Sequence, residues 1–379
     1  MNRRAFLRSG LFAALGAAAS GSLWARAARA TTAPVGPYGP LLPADANGIQ
    51  LPAGFRSRVV ARANQLVPGT AHVWHSRPDG GAVFPLPGGY VYVSNSEEAS
   101  GGVGALRFDH EGALLDAYPI CTGTSRNCAG GATPWGTWLT CEETATGLVY
   151  ECDPTGALPQ LARPALGTFK HEAVAVDPAG RRLYLTEDES DGAFYRFTPE
   201  VWGSLASGLL EVAIASGGAV SWVPVPNPNP VGGQTKTRNQ VPAASAFDGG
   251  EGIAWSRGHV YFTTKGDNRV WDYHPESATL GILYDAAQDP VAQLTGVDNL
   301  QVSRADDVLV AEDGGNMELV LLAPGFLASP LLRIVGQSSS EIAGPAFDPL
   351  GRRLYLSSQR AGAGNAGITY EVTGPFRRL

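Results

Sequence analysis

The sequence predicts an all-β protein with the architecture of a six-bladed β-propeller. Short runs of Val, Leu, Tyr, Phe and Trp alternate with Gly and Pro, and helical periodicity is weak after the first thirty residues. One unit also recurs, with the order strand, tight turn, strand, loop, strand. Six such units, roughly 45 residues apart where no insertion intervenes, are typical of four-stranded propeller blades. A β-sandwich would not explain this spacing.

The repeated units predict one propeller domain over residues 31–379. "HEAVAVDPAGRRLYLTED" is the most regular copy, and the copies begin at Arg77, Asn127, His171, Gly250, Val297 and Ser340. Residues 200–246 include "WVPVPNPNPVGG" and are predicted to be an insertion or extended loop. The segment "GFRSRVVAR" from Gly54 is expected to supply the outer strand that closes the ring against the last blade.

The first thirty residues have the layout of a twin-arginine signal peptide. Arg3 and Arg4 precede an apolar stretch at 11–19, and small residues at 28–30 suit a cleavage site. The apolar stretch is too short to span a bilayer. We therefore expect export by the twin-arginine machinery, a periplasmic or secreted location, and no membrane segment in the mature protein.

Charge and sheet closure restrict the partners. Without the five arginines of the signal, 23 basic residues face 35 acidic ones, a net charge of about −12, which argues against nucleic acid. A closed ring leaves no long free sheet edge, so we expect a monomer. Cys121, Cys128, Cys141 and Cys152 are even in number, as in disulfide-bonded exported proteins, and a Cys141–Cys152 pair is an open alternative.

Acidic residues recur at two positions of the repeat. The first position precedes the first strand and holds Asp79, Cys128, Glu172, Glu251, Asp298 and Glu341. The second follows about fifteen residues later, at the end of the second strand. It holds Asn95 with Glu97 and Glu98, Glu142 and Glu143, Glu187 and Asp188, Asp267 and Asn268, and Glu312 and Asp313, whereas the sixth copy has Ser358 and Gln359. Antiparallel neighbours bring these two positions to one end of each blade. Since the first strand lines the channel, the acids are predicted to meet at one channel mouth.

Such a concentration of carboxylates requires cations. Two carboxylates about 4 Å apart repel each other by roughly 4 kcal/mol at an effective dielectric near 20. Hard oxygen ligands in this number suit Ca²⁺, whereas a thiolate among them suits a transition metal such as iron. The residues therefore favour a mixed metal cluster.

The motifs "NCAGGATPWGTWLTCEE", "FKHEAVAVDP", "RLYLTEDESDGAFYRF" and "SEIAGPAFDP", with the closing "LYLSSQR", resemble the PhoX-type alkaline phosphatases. These are secreted bacterial enzymes exported by the twin-arginine pathway. The resemblance implies a six-bladed propeller that hydrolyses small phosphate esters at a cluster of Fe³⁺ and Ca²⁺. It implies Cys128 as the thiolate ligand of iron, with Glu172 and Glu251 as carboxylate ligands. The calcium ligands implied jointly by the repeat and the family are Glu142 or Glu143, Glu187, Asp188, Asp298, Glu312 and Asp313.

The chain departs from the family pattern beside Glu251. The pattern has an arginine two residues earlier, where this chain has Gly249. Phosphoryl transfer needs positive charge on the phosphoryl oxygens. Arg126, Arg196 and Arg360 are expected near the mouth, and Arg126 and Arg360 are the predicted phosphate contacts. Two alternatives stay open. One is a calcium-dependent lactonase-like hydrolase, which needs fewer carboxylates and no thiolate, and the other is a non-catalytic propeller stiffened by Ca²⁺.

Overall fold

A computed structural model describes residues 34–378, except for 290, 292, 363 and 365. Six groups of antiparallel strands surround a central channel, and the first strand of each group packs against the first strands of both neighbouring groups. The predicted β-propeller is therefore confirmed. The predicted signal peptide, residues 1–30, lies outside the described residues. No helix in the described ranges is long and apolar enough to cross a membrane.

Two short strands precede the first blade, and the first three blades then follow in chain order. The preceding strands are β1 (Ile49–Gln50) and β2 (Arg56–Arg62). The strands of blade 1 are β3 (Pro78–Leu86), β4 (Gly89–Ser96), β5 (Gly101–Asp109) and β6 (Leu114–Thr124). Those of blade 2 are β7 (Asn127–Ala132), β8 (Trp138–Glu142), β9 (Val149–Cys152) and β10 (Leu161–Ala162). Those of blade 3 are β11 (His171–Asp177), β12 (Arg182–Glu187), β13 (Phe194–Val201), β14 (Ser204–Ser216) and β15 (Ala219–Pro224).

The remaining blades complete the ring. Blade 4 consists of β16 (Gly250–Ser256), β17 (His259–Thr264), β18 (Arg269–His274) and β19 (Thr279–Asp285). Blade 5 consists of β20 (Val297–Val302), β21 (Val308–Glu312), β22 (Glu318–Leu322) and β23 (Ser329–Ile334). Blade 6 consists of β24 (Ile342–Phe347), β25 (Arg353–Ser358) and β26 (Ile368–Thr373). Two single-turn 3₁₀ helices, Pro164–Leu166 and Thr237–Asn239, lie in connections.

Strands from the beginning of the chain complete the last two blades. Strand β2 pairs with β26 from Arg56 opposite Thr373 to Arg62 opposite Ile368, so the predicted ring closure is formed. Strand β1 extends blade 5 by pairing with β23. Hydrogen bonding joins the blades into five sheets rather than six, because β15 adds a fifth strand to blade 3 and touches β19 of blade 4.

The span 200–246 is only partly irregular. Residues Ser204–Ser216 form the fourth strand of blade 3, and Ala219–Pro224 form its additional strand. The irregular part begins after Pro224 and reaches the start of blade 4 at Gly250. The Pro-rich run masks this strand pair in the sequence, since Pro and Gly are turn signals.

The core lies between neighbouring blades rather than in one centre. Tyr90, Phe108 and Tyr355, for example, are buried where blade 1 meets blade 6, and the Tyr90 and Tyr355 hydroxyls are 2.7 Å apart. The centroids of the three rings are 5.0–6.1 Å apart. Aromatic pairs at such distances contribute about 0.5–1.5 kcal/mol each beyond the area that they bury. This packing fixes each blade against the next and holds the first strands around the channel.

Candidate metal centre at the channel mouth

Every first strand carries a β-bulge at the same end of its blade. The strand register shifts after Pro78, Asn127, His171, Gly250, Val297 and Ala343. A bulge adds one residue, breaks the pairing locally and turns a side chain in a new direction. In blades 1 to 5 the first bulge residues are Asp79, Cys128, Glu172, Glu251 and Asp298, the first repeat position identified in the sequence. Their side chains consequently turn towards the channel mouth.

Blade 6 differs from the alignment made on sequence. Its bulge contains Gly344, so Gly344 rather than Glu341 takes the position that Asp79 has in blade 1. Gly344 has φ +60°, and an added Cβ would lie 2.5 Å from the Asp79 carbonyl oxygen. Only glycine fits where blades 6 and 1 approach so closely. Glu341 reaches the mouth from three residues earlier, just outside β24.

The acidic pairs that end the second strands divide by strand alternation. Glu142, Glu187 and Glu312 lie opposite the residue before each bulge residue, and successive side chains on a strand point to opposite faces. The second members, Glu143 and Asp313, therefore reach the mouth while the first members do not. Asp188, the equivalent in blade 3, lies at the rim, where it accepts a hydrogen bond from Lys170 at 2.7 Å.

The three first members instead hold the loop between the second and third strands of their blades. One carboxylate oxygen of each accepts a backbone N–H from this loop at 3.2 Å, given by Leu148, Ala193 and Glu318 to Glu142, Glu187 and Glu312. The second oxygen is also engaged, by the Ser125 N–H, the Arg238 guanidinium and the Thr295 N–H respectively. The structure thus does not bring these three predicted calcium ligands into the mouth.

The other acids form one continuous cluster. Donor atoms lie within 4.8 Å of one another in four groups: Cys128, Glu143 and Glu172; Glu172, Glu251 and Asp298; Asp298, Asp313 and Glu341; and Asp79, Glu97 and Glu341. Adjacent groups share Glu172, Asp298 or Glu341, so the groups form a chain around the mouth. Asp79, Glu97 and Glu341 were visible at the two repeat positions, but none of them was among the predicted metal ligands.

Glu172 belongs to two of these groups and has no hydrogen-bond partner among the described residues. It is fully buried, and neither carboxylate oxygen makes a hydrogen bond to any described residue. Burial, followed by the charge of Glu251, raises the pKa of Glu172 well above its usual value. A buried carboxylate without a partner costs several kcal/mol. The arrangement is that of a ligand for a cation, because folding otherwise provides a counter-charge or a donor.

The pKa values of Cys128, Glu341 and Glu143, also at the mouth, are raised for the same reasons, burial and nearby negative charge. Burial, reinforced by the nearby carboxylates, raises the pKa of the Cys128 thiol, whose Sγ lies 3.7 Å from Asp79 Oδ2. Burial and the Asp298 charge raise the pKa of Glu341 to about 8, and burial raises that of Glu143 to about 7. A bound cation would favour the charged forms of all of them. The sulfur and carboxylate donors near Glu172 fit a transition metal, and the oxygen-only groups fit Ca²⁺.

Lys265 is the principal residue that sequence reasoning missed. Its ammonium lies 2.9 Å from Glu251 Oε1, 3.3 Å from Asp313 Oδ2 and 3.5 Å from Asp298 Oδ2. Burial opposes this charge, but the three carboxylates outweigh it and raise the pKa of Lys265. Lys265 follows Thr264, the residue opposite Gly250, and so stands where the other blades have Glu97, Glu143, Asp188 and Asp313. The repeat position was the available signal, but a search for acids passes over a lysine.

Lys265 also lies beside the glycine that replaces the expected arginine. A Cβ added to Gly249 would stand 3.6 Å from the Lys265 Cβ. A positive charge is therefore present at this side of the mouth, although it comes from the residue after β17 rather than from the position two residues before Glu251.

Arg360 and Arg126 lie at the mouth, whereas Arg196, on β13, instead lies 2.7 Å from Glu211 Oε2 of the neighbouring strand β14. Arg360 Nη1 is 2.7 Å from Glu341 Oε2 and 3.6 Å from Asp313 Oδ1. Arg126 is half exposed at the rim, 3.8 Å from Glu97 Oε1. Gln359, which breaks the acidic pattern in blade 6, donates from Nε2 to Asp79 at 2.5 Å and to Glu97 at 3.0 Å. Blade 6 therefore contributes donors where the other blades contribute acids.

The four cysteines are unpaired in the described structure. Cys141 packs towards blade 3, whereas Cys152 packs towards blade 1, so the two side chains point to opposite faces of blade 2. The Cys141–Cys152 alternative is therefore not formed. A hydrogen bond with the Cys152 thiol is the main cause of the lowered pKa of Cys121.

The fold and the site together define a class, a β-propeller with a thiol and buried carboxylates gathered at one channel mouth. The sequence matches the family described as "Alkaline phosphatase PhoX" over residues 99–362. The chain belongs to this family, whose members are metal-dependent phosphoric monoester hydrolases of secreted or periplasmic location. No curated protein sequence matches the chain.

Solved structures support the fold. Pseudomonas fluorescens PhoX in complex with vanadate, a transition state analogue, is similar with a TM-score of 0.74 at 17% identity, covering 88% of this chain and 97% of that one. A Xanthomonas campestris gluconolactonase has a TM-score of 0.53 at 13% identity, covering 90% of this chain and 100% of that one. At such identities these likenesses concern the fold, and the family match carries the activity.

Proposed function

We propose that this chain hydrolyses small phosphate monoesters at the acidic channel mouth. The observation that carries the proposal is the fully buried carboxylate of Glu172, which has no hydrogen-bond partner among the described residues and lies within ligand distance of both Cys128 and Glu251. Cys128, Glu172 and Glu251 would hold Fe³⁺. Asp298, Asp313 and Glu143, together with Asp79, Glu97 and Glu341, would hold Ca²⁺. When bound, such ions supply Lewis-acid polarisation of the phosphoryl oxygens and an activated nucleophile.

The chain's own cations would bind and orient the phosphate. Lys265 and Arg360 lie among the cluster carboxylates and offer N–H donors towards the mouth, and Arg126 adds a charge at the rim. Positive charge at the phosphoryl oxygens stabilises the charge that spreads over them in the transition state. We propose Lys265 as the residue that replaces the arginine expected at Gly249. Arg360 would contact the phosphate from the blade 6 side.

The substrate would enter from the mouth only. Directly beneath the cluster, the channel narrows to a cavity of about 40 Å³ lined by Gly80, Ala129, Ala173 and Gly252, among others. That volume accommodates little more than one water molecule. The reacting phosphate therefore stays at the cluster, with its ester group outside the mouth, and a broad range of leaving groups is expected.

Metal analysis combined with an activity assay tests the proposal. We expect protein purified without chelator to contain iron and calcium and to hydrolyse a chromogenic phosphate monoester in a Ca²⁺-dependent manner. Cys128→Ser should lose iron and activity together, whereas Cys141→Ser, a buried cysteine of the same blade, should keep both. Calcium alone with no turnover would refute the phosphatase proposal, and turnover of a lactone instead would support the lactonase-like alternative.

We further propose that the chain is exported in folded form by the twin-arginine machinery and acts as a monomer outside the cytoplasm. The paired arginines near the start of the sequence support the route, and the closed ring supports the monomer. Replacing Arg3 and Arg4 with lysine should retain the protein in the cytoplasm. Export that persists in this variant, or a dimer in sedimentation, would contradict these statements.

A further inference from the structure

A group of two histidines and one aspartate lies on blade 4, away from the mouth. His259 begins β17, and Asp272 and His274 belong to β18. The register pairs Val260 with Tyr273, so His259 stands opposite His274. Asp272 lies two residues before His274 and therefore shares its face of the sheet. The pairing of two strands, rather than a mobile loop, brings these three side chains together.

The distances are those of a chelating group. His259 Nδ1 lies 3.0 and 3.1 Å from the two Asp272 oxygens, and His274 Nε2 lies 3.3 Å from Asp272 Oδ2. Donors bound tetrahedrally at 2.0–2.1 Å from Zn²⁺ are roughly 3.4 Å apart, so shifts of a few tenths of an ångström would suffice. One donor atom from each of the three residues falls within 4.8 Å of the others.

The surroundings allow an ion to enter and hold the ligands in place. The three side chains are 33%, 18% and 41% exposed for His259, Asp272 and His274. The His259 ring stacks on Tyr261 at 5.4 Å with an interplanar angle of 12°, which restricts its rotation. The two imidazole rings are 4.1 Å apart between centroids. Three protein ligands also leave a coordination position open for water.

We infer that His259, Asp272 and His274 form a second metal site, specific for a divalent transition-metal ion of the zinc or copper type. Two imidazoles and one carboxylate favour such an ion over Ca²⁺, which prefers oxygen ligands. The site is separate from the mouth, because β17 places His259 five residues, about 17 Å, from the strand end that precedes Lys265. The ion would clamp β17 to β18 at the opposite end of the blade.

The donor types distinguish this site from the mouth. Among the described residues, the donor groups at the mouth offer oxygen and one sulfur and include no histidine. His171, which precedes Glu172 in the chain, directs Nε2 to the Gly167 carbonyl at 3.0 Å and packs against Phe169. Cu²⁺ bound on blade 4 would therefore show nitrogen coupling from two imidazoles in electron paramagnetic resonance. Cu²⁺ bound at the mouth would not.

The experiment uses the full-length folded protein, stripped of metal and given one equivalent of Cu²⁺. We expect coupling to two nitrogens in the wild type, one in His259→Ala and one in His274→Ala, and an unchanged spectrum in His110→Ala, which removes an exposed histidine elsewhere. In calorimetry, both histidine variants should bind Zn²⁺ at this site more weakly than the wild type. Loss of an outer-shell partner already lowers metal affinity roughly 10- to 100-fold, so loss of a direct ligand should lower it at least as much. Circular dichroism checks that each variant is folded.

Two results would overturn the inference. One is a wild-type spectrum without nitrogen coupling, and the other is coupling that both histidine substitutions leave intact. Phosphatase activity is not a readout here, so failure of this inference leaves the proposed function untouched, and the reverse also holds.

Discussion

Replacing Glu172 with glutamine should raise the free energy of unfolding when metal is absent. When metal is present, the variant should be less stable than the wild type. Glu172 belongs to two donor groups, in each of which the donor atoms lie within 4.8 Å of one another. At that distance each carboxylate pair repels by about 3.5 kcal/mol at an effective dielectric near 20. Protonation relieves part of this cost, because burial already raises the pKa of Glu172. We therefore expect Glu172→Gln to gain about 1–3 kcal/mol in chelator.

Glu187 supplies the matched control. It is as deeply buried as Glu172, but Arg238 Nη1 donates to it at 2.7 Å and Tyr195 Oη at 2.8 Å. Breaking a buried ion pair by removing one partner costs about 3–5 kcal/mol. Glu187→Gln should therefore be destabilised both with and without metal, whereas the sign for Glu172→Gln depends on metal.

Thermal and urea unfolding of both variants and wild type, in chelator and in Ca²⁺ with iron, measure these differences. A ligand at 100 times its Kd stabilises the folded state by about 2.7 kcal/mol, a gain that wild type should show and Glu172→Gln should largely lack. For a chain of this length, a gain of 1–3 kcal/mol in chelator corresponds to a Tm rise of roughly 1–4 °C. If Glu172→Gln were destabilised in chelator as Glu187→Gln is, the carboxylate would already have a partner and the argument for a cation ligand would fail.

Three further predictions concern the mouth and the ring. Lys265→Met should lower kcat/KM for a phosphate monoester about 10²- to 10³-fold, because loss of one transition-state donor has an effect of this size. Lys265→Arg should recover part of the activity. Unchanged kinetics in Lys265→Met would show that Lys265 does not bind the phosphate. Gly344→Ala should lower the free energy of unfolding in urea by at least about 2 kcal/mol, because its Cβ would meet the Asp79 carbonyl. Gly88 also has a positive φ, +81°, but has open space around it, so Gly88→Ala should cost only about 1 kcal/mol. Equal losses in the two variants would contradict the tight contact at Gly344. Metal-free protein should lose stability as the pH rises from about 5 to 8, since folded Glu143 and Glu341, with pKa values of about 7 and 8, keep protons that the unfolded chain releases near pH 4.5. Each group contributes up to about 1.4 kcal/mol per pH unit, and a flat urea profile in chelator would refute this assignment.

The ring and the first repeat position followed from sequence because each rests on a local periodicity. Turn residues separate the strands, and Asp79, Cys128, Glu172, Glu251 and Asp298 recur in phase with them. The β-bulge at each of these positions then turns the side chain towards the channel mouth. The closing strand was recognisable for the same reason, as a polar–apolar run before the first unit.

The division of the acidic pairs could have been predicted but was not. Alternation along a strand sends Glu142 and Glu143 to opposite sides, so one acid of each pair had to leave the mouth. The repeat position of Lys265 was visible in the sequence, but neither its contacts nor the role of Gly344 could be predicted. The distance from Gly344 to Asp79 depends on how blades 6 and 1 pack, and the Lys265 contacts depend on acids from blade 5. Contacts between blades cannot be predicted from the repeated sequence pattern, because that pattern reports only the strands within each blade.

Pairing of β2 with β26 makes the order of synthesis matter for assembly. The strand β2, which completes blade 6, leaves the ribosome before its partner β26, with more than 300 residues between them. Until that partner exists, the ring is open and the metal ligands of blades 1 and 5 lack the contacts that blade 6 supplies. Maturation of the centre is thus coupled to synthesis of β26, and β2, which is made before all six blades, is the element that docks when the ring is finished.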